Sequence, residues 1–240
     1  MLWDVGEDLD DGLPIDVYVD FDGTIAPGEP TDRLFDRFAD PSWRAIDQAW
    51  LEGRLTSWQA TAQTVSLLRA TPEELVAFLR GIPIDPGFPA FVQLCRRAGA
   101  RVTVVSDGLD LVVRTVLGAA GIDLPFVANR LAWQGGMRWA ARFPHRRPDC
   151  KFQMGNCKCA HRRRPLTAVN VMVGDGRSDF CIAESCQLVI AKGSLLRRCR
   201  EQRFPHLAMT GFGDANSRFA RWLARRKARA APMRVLQTSL

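Results

Sequence analysis

The stretch Val17-Tyr-Val-Asp-Phe-Asp-Gly-Thr-Ile25 constrains this chain more than any other. Apart from Asp16, Ile15 to Val19 are β-branched or aromatic, with little polar relief, the composition of a strand buried on both faces of a parallel sheet. Asp20 falls where the apolar run stops, at the crevice outside the carboxyl ends of the strands, where open α/β sheets bind their ligands. Gly23 lets the chain turn, so that Asp22 points back to the same crevice. Two carboxylates this close resist ionising together, which calls for a divalent cation or a retained proton. Taken alone, the pair would suit a capped turn equally well, and the rest of the chain has to decide.

With 240 residues, 47% hydrophobic and 25% charged, the chain is long enough for one sizeable core plus a subdomain. No apolar run approaches the roughly 18–20 residues of a membrane span, and the acidic start, Asp4 to Asp11, is unlike a signal peptide. A cytoplasmic, non-membrane protein is expected. The seven cysteines are an odd set scattered through the expected core, which suits reduced thiols better than a disulfide framework. Net charge is +7, yet only Lys151, Lys158, Lys192 and Lys227 are lysines among 33 basic residues, so any role that needs an ammonium has few candidates.

From Pro27 to Arg80 the chain carries helix punctuation. Thr31 and Asp32 precede one apolar run, Pro41 and Ser42 the next, Thr56 the third, and Thr71-Pro-Glu-Glu the fourth. Four helices inserted after the first strand are expected, with Trp43, Trp50 and Trp58 in their core. The α/β pattern then resumes. A helix over 88–98 ends at Gly99, and a second buried strand, Arg101 to Ser106, runs into Asp107-Gly108 and a helix through Leu117. A short strand at Phe126–Ala128 leads to a hairpin, Arg130–Trp133 and Met137–Ala141, turning at Gln134-Gly-Gly136. A short helical piece stopped by Pro165 precedes a third apolar strand, Ala168–Val173, which ends in Gly174-Asp-Gly-Arg-Ser-Asp179. Leu188–Ala191 reads as one more strand and 214–227 as a closing helix. The expected division is a discontinuous α/β core (12–26 and 84–228), a helical cap (27–83) and a basic tail (229–240).

Four groups converge in principle at the strand ends: the Asp20/Asp22 pair, Ser106, a lysine between 150 and 160, and Asp175 with Asp179. They match what phosphoryl transfer requires. A magnesium ion prefers oxygen ligands, which Asp20, Asp175 and the Asp22 carbonyl supply, with Asp179 holding its waters. A hydroxyl and an ammonium would neutralise the phosphate oxygens. Asp20 attacks phosphorus to give an aspartyl phosphate, while Asp22 protonates the leaving alkoxide and then deprotonates the hydrolytic water.

Asp20-Phe-Asp-Gly-Thr24, Ser106-Asp-Gly108 and Gly174-Asp-Gly-Arg-Ser-Asp179 resemble motifs one, two and four of the haloacid dehalogenase superfamily of phosphatases. The position and helical character of the insert resemble the phosphoserine-phosphatase-type subfamily. The resemblance implies a Rossmann-like three-layer fold with a cap, a small phosphorylated metabolite as substrate and Mg2+ as cofactor. It puts the nucleophile at Asp20, the acid/base at Asp22, the phosphate ligand at Ser106, substrate-binding residues at Asp107 and Gly108, and the metal at Asp20, Asp22, Asp175 and Asp179. Motif three needs a lysine, Lys158 or Lys151, of which Lys158 is favoured because Asn156-Cys-Lys158 can open the helix before strand three. Glu29 matches that subfamily's ammonium-binding glutamate. Thr64, by contrast, stands where the subfamily has an arginine for the substrate carboxylate, and a hydroxyl cannot replace a bidentate fork. Ile84-Asp-Pro-Gly-Phe88, Phe91-Val-Gln-Leu-Cys95 and the cysteine-rich run before Lys158 resemble the methionine-salvage branch, whose phosphatase acts on a methylthio-hydroxyketopentenyl phosphate.

Cys150, Cys157 and Cys159, with His145 or His161 nearby, contain the makings of a zinc site. The C-x6-C-x-C spacing is not that of paired zinc knuckles, however, and packed reduced thiols are the simpler expectation. The basic residues from Arg221 to Arg229 read as a solvated helix end rather than a nucleic-acid surface. Phosphoserine hydrolysis remains an alternative function, as does a non-catalytic basic binding module on the same fold. Retention of every motif acid argues against the second.

Overall fold

The computed structural model describes residues 12–163 and 167–230. The acidic start, Pro165 and nearly all of the 229–240 tail lie outside the described residues. A seven-stranded sheet has the order β4-β3-β2-β1-β5-β6-β7. Its strands are β1 (Ile15–Val19), β2 (Arg101–Leu109), β3 (Phe126–Trp133), β4 (Trp139–Arg142), β5 (Val169–Gly174), β6 (Leu188–Ala191) and β7 (His206–Ala208). All pairings are parallel except the β3–β4 hairpin. β1 lies at the centre with every one of its residues buried; Asp16, its one charged residue, is paired with Arg101 and Arg163. Val17, Val19, Val104, Val171 and Ile190 face one apolar cluster, while Tyr18, Val105, Met172 and Val189 face another. This alternation with period two is what lets helices cover both sides and makes the architecture three-layered.

Helices α1 (Pro30–Phe38), α2 (Trp43–Leu51), α3 (Ser57–Ser66) and α4 (Pro72–Leu79) follow β1. Reciprocal capping boxes start α3 (Thr56 with Gln59) and α4 (Thr71 with Glu74), satisfying the first free amides of each helix. Leu34, Phe35, Trp43, Val65 and Leu75 belong to the same apolar cluster as the sheet residues, and the Trp139 indole donates to Ala70 O at 2.8 Å. The insert is therefore seated on the sheet instead of standing apart from it.

Helices α5 (Phe88–Arg97), α6 (Asp110–Ala119) and α9 (Phe212–Ala230) cover the first face; α7 (Phe180–Ala183) and α8 (Gly193–Glu201) cover the second. α9 locks onto α5 through Phe88, Phe91, Phe212 and Phe219, whose rings lie 4.9–5.6 Å apart. Among the described residues no helix is long and apolar enough to cross a membrane.

Several elements differ from the sequence reading. The second strand does not end at Ser106: the β1–β2 ladder stops at Val104, but the chain stays extended through an irregularity and pairs Leu109 with Asn129. The expected break between 128 and 130 is absent, since the buried Asn129 amide donates to Asp107 O at 2.6 Å and keeps β3 continuous. Among the described residues, the helical piece expected before Pro165 contains the 3-10 turn Lys158–Ala160 and no α-helix. α7, α8 and β7 have no counterpart in the sequence reading. Each is short or shows few apolar positions; α8 buries only Leu195 and Cys199. Nor is the basic stretch uniformly solvated: Arg226 is buried and donates to Leu13 O at 2.6 Å, tying α9 to the chain just before β1.

Candidate active site

From β1 the chain proceeds to β2 on one side and later returns to β5 on the other, so the order reverses beside β1. Ligand-binding crevices open at such a switch point. The carboxyl ends of β1, β2 and β5 deliver Asp20, Ser106 and Asp175 to it. Asp20 is held by its own amide, which donates to Val173 O at 2.8 Å, and by the Phe21 N–H on its Oδ1, also at 2.8 Å. Gly23, at φ 71°, turns the chain; a Cβ there would lie 2.7 Å from Asp175 Oδ2.

Asp22 is turned away from Asp20's partners. Its Oδ1 accepts the Thr31 N–H at 2.9 Å, and its Oδ2 lies 3.4 Å from the Ser106 hydroxyl. Burial raises its pKa, against the pull of the Thr31 amide, so it retains its proton more readily than a free aspartate. A Cβ on Gly108 would sit 2.5 Å from Asp22 Oδ2 and 3.0 Å from Ser106 Oγ, so only glycine fits there.

Lys158 is completely buried. Its ammonium bridges Asp20 Oδ1 and Asp179 Oδ1, each at 2.5 Å, and donates to Ser178 Oγ at 3.0 Å. Burial alone would lower its pKa, but Asp179 and Asp20 more than reverse that, and the lysine stays charged. Burial, then Asp179, raises Asp20 well above the ordinary carboxylate range in spite of Lys158. The rival Lys151 lies on the outside, 62% exposed and paired with Glu184 at 2.6 Å.

Carboxylate oxygens of Asp20, Asp175 and Asp179 lie within 4.8 Å of one another. Among the described residues Asp20 and Asp179 accept from one ammonium, Lys158, and Lys192 attracts Asp175 through space; hard oxygen donors with residual negative charge fit a magnesium ion. Asp175 is oriented by the Thr24 hydroxyl at 2.7 Å. Asp179 accepts the amides of Asp175 and Gly176 at 3.0 and 3.1 Å. The Asp22 side chain is outside this group, leaving its main-chain carbonyl as the only ligand it can offer.

Asp107, expected against substrate, has its carboxylate taken up by protein. It accepts from the Ser57 hydroxyl of α3, from Asn156 N at 2.6 Å and from the Asn129 amide at 3.2 Å. It is a post joining cap, β3 and the Lys158 loop. Sequence reading missed this clamp. It also missed the role of the Asn156 side chain, whose amide donates to Ser106 O at 2.7 Å and Val127 O at 3.1 Å, while its Oδ1 accepts from His161 Nε2 at 2.7 Å. Asparagines in loops carry no local signal of such ties.

Above the acids lies a cleft of about 410 Å³ whose walls include Glu29, Asp32, Asp47, Phe35, Trp43 and Trp50. Trp50 thus lines the cleft rather than the insert's core. Trp58 lies apart, edge-on to Phe143 at 6.3 Å. Glu29 sits at φ 50° at the start of α1, and burial together with Asp22 and Asp175 pushes its carboxyl up to about 8. Asp32 is pushed to about 7 by burial and by Asp47. Thr64 is buried in the wall, and Arg177 crosses the rim to donate to Leu51 O at 3.0 Å.

The model of haloacid dehalogenase-like hydrolases matches residues 17–184. The 2-hydroxy-3-keto-5-methylthiopentenyl-1-phosphate phosphatase of Geobacillus thermodenitrificans is 29% identical over 212 residues, covering 82% of this chain and 92% of that one. The enzyme of the same name from Brevibacillus brevis is 27% identical over 204 residues, with 82% and 91% covered. Among solved structures, a phospho-aspartyl intermediate analogue of phosphoserine phosphatase superposes with a TM-score of 0.61 at 23% identity, covering 82% of this chain and 93% of that chain. The chain belongs to the haloacid dehalogenase-like hydrolase family and is a phosphatase of that family.

Proposed function

We propose that this protein hydrolyses a small phosphomonoester with Mg2+, through an aspartyl phosphate on Asp20. The observation that carries the reading is the buried ammonium of Lys158 between Asp20 and Asp179, beside Asp175, Asp22 and Ser106. Asp20 attacks phosphorus in line, and the bond to the leaving oxygen breaks as Asp22 delivers its proton to the alkoxide. Burial, by raising the Asp22 pKa, favours the protonated form that this step needs. Asp22 then takes a proton from the water that attacks the acyl phosphate and frees Asp20. Lys158 and the Ser106 hydroxyl bind the phosphate oxygens, where negative charge concentrates in the transition state. Asp20, Asp175 and the Asp22 carbonyl would hold the magnesium ion, with Asp179 on its waters; bound there it neutralises phosphate charge.

The substrate body is uncharged or cationic. Among the described residues the acidic and aromatic walls, with Thr64 among them, hold no guanidinium except Arg177, which at the rim donates to Leu51 O, and Glu29, Asp32 and Asp47 repel a carboxylate. The methylthiopentenyl phosphate that names the relatives fits this description. Phosphoserine hydrolysis is the second reading, supported by Arg177, the one guanidinium at the rim among the described residues. Seven free cysteines support a reducing, cytoplasmic setting.

The test is hydrolysis of para-nitrophenyl phosphate, abolished by EDTA and restored by magnesium, followed by kcat/KM across a phosphometabolite panel. Activity indifferent to chelation removes the mechanism. Phosphoserine as best substrate by about tenfold, roughly 1.4 kcal/mol, replaces the first substrate reading with the second.

A further inference from the structure

On the sheet's second face, next to but separate from the acidic crevice, four sulfurs converge. Cys150 and Cys157 come from the segment leading into the 3-10 turn, Cys159 from the turn itself, and Cys181 from α7. We infer that Cys150, Cys157, Cys159 and Cys181 form a structural zinc site that fixes the loop carrying Lys158 to the helix following Asp179.

Geometry supports this first. The four Sγ atoms lie within 4.8 Å of one another, and Cys157 and Cys159 approach to 3.0 Å. A tetrahedral zinc with bonds near 2.3 Å needs sulfurs about 3.8 Å apart, so small side-chain adjustments suffice. All seven cysteines are free thiols. Four thiolates are the donor set of closed structural zinc sites. The histidines near the segment are not part of the cluster: His145 and His161 meet edge-to-face at 4.8 Å, and His161 is committed to Asn156.

The fold supplies an independent reason. Residues 143 to 157 contain no helix or strand, and the apolar cluster under them consists of Cys150, Cys157 and Cys181 with Phe152 and Cys159 partly buried. Irregular connections longer than about 12–15 residues inside a compact domain need something besides a core to order them. Three small thiols bury too little apolar surface to do so. Metal binding that exists only in the folded state adds directly to folding free energy.

The surroundings suit a doubly negative tetrathiolate. Phe152 and Phe180 wall the cluster edge-to-face at 5.8 Å. Arg198 lies over both rings, and Lys151 and Arg198 share the single carboxylate of Glu184, leaving one positive charge in excess. Lys158 stands between two of the ligands, and Asp179, which it bridges, lies two residues before a third. The zinc would thereby set the distance between Lys158 and Asp179 without touching substrate.

The full chain, produced in zinc-supplemented medium and dialysed to remove weakly held magnesium, should retain one zinc per chain by elemental analysis. Replacement by cobalt should show the thiolate charge-transfer and visible bands of a tetrahedral sulfur site. Cys150→Ser, Cys157→Ser, Cys159→Ser and Cys181→Ser should each lose the zinc and lower Tm, while Cys95→Ala and Cys199→Ala keep it. Prolonged chelation should lower the Tm of wild type to that of Cys181→Ser and leave the variant unmoved. Substoichiometric metal in the wild type, a cobalt spectrum without thiolate bands, a Cys157–Cys159 disulfide on mass analysis, or iron in place of zinc would each overturn the inference. The wild-type measurements decide it even if a variant does not fold.

Discussion

Lys158→Met removes the ammonium while keeping most of the side-chain volume. The lysine is fully buried and bridges Asp20 and Asp179 at 2.5 Å each, so its loss leaves two carboxylates facing one another in a dry site. Removing one partner of a buried ion pair costs about 3–5 kcal/mol. The two pairs share one lysine and do not add, so the same 3–5 kcal/mol is expected for the whole substitution in EDTA. With magnesium present the loss should shrink, because the cation meets the same carboxylates. It should shrink as well when pH falls. Without the ammonium to lower its pKa, the buried Asp20 holds a proton that the unfolded chain has already released, and a folded state that binds more protons gains stability as pH drops. Turnover should fall about 10²–10³-fold, the scale for losing one preorganised donor to developing charge. Urea unfolding at neutral and mildly acidic pH, with and without magnesium, measures the first effect, and steady-state hydrolysis the second. Lys151→Ala is the control: its pair with Glu184 is largely exposed, and about 0–1 kcal/mol is expected. If Lys158→Met unfolds like wild type and turns over within a few-fold of it, the lysine does not hold the phosphate or the acids.

Asp20→Asn should abolish turnover and any protein-bound label from radioactive substrate phosphate, whereas Asp22→Asn should still acquire that label slowly and retain it; labelling of Asp20→Asn would misplace the nucleophile. Gly108→Ala should lower kcat about tenfold or more with only a small change in Tm, since the new methyl lands 2.5 Å from Asp22 Oδ2. Glu29→Gln should gain stability over wild type progressively from about pH 4.5 to about pH 8 and hold that gain above it. The folded pKa of Glu29 is pushed to about 8 from an ordinary 4.5, so wild type loses stability as pH rises through that window and the amide does not. Glu29 is itself an exposed residue at the rim of the cleft, which makes the effect a direction in a Tm-versus-pH comparison and not a large one.

What the sequence determined is what is encoded locally. Asp20, Asp22, Ser106 and Asp175 were legible because a buried strand has period two and ends where its apolar run ends, and because glycine marks the turn that follows. The helices of the insert were legible from their caps, since Thr56 and Thr71 announce themselves three residues before Gln59 and Glu74. Lys158 was favoured over Lys151 only on a helix-start signal, because the choice itself depends on which lysine the 3-10 turn directs inward. α7, α8 and β7 escaped because elements of three to nine residues take their stability from the layer they pack on, not from their own pattern. The rest belonged to tertiary structure alone. Asp107 became a post for Ser57, Asn129 and Asn156, and Cys181 joined three cysteines from a distant segment, because partners separated along the chain meet only when the sheet brings their strand ends together.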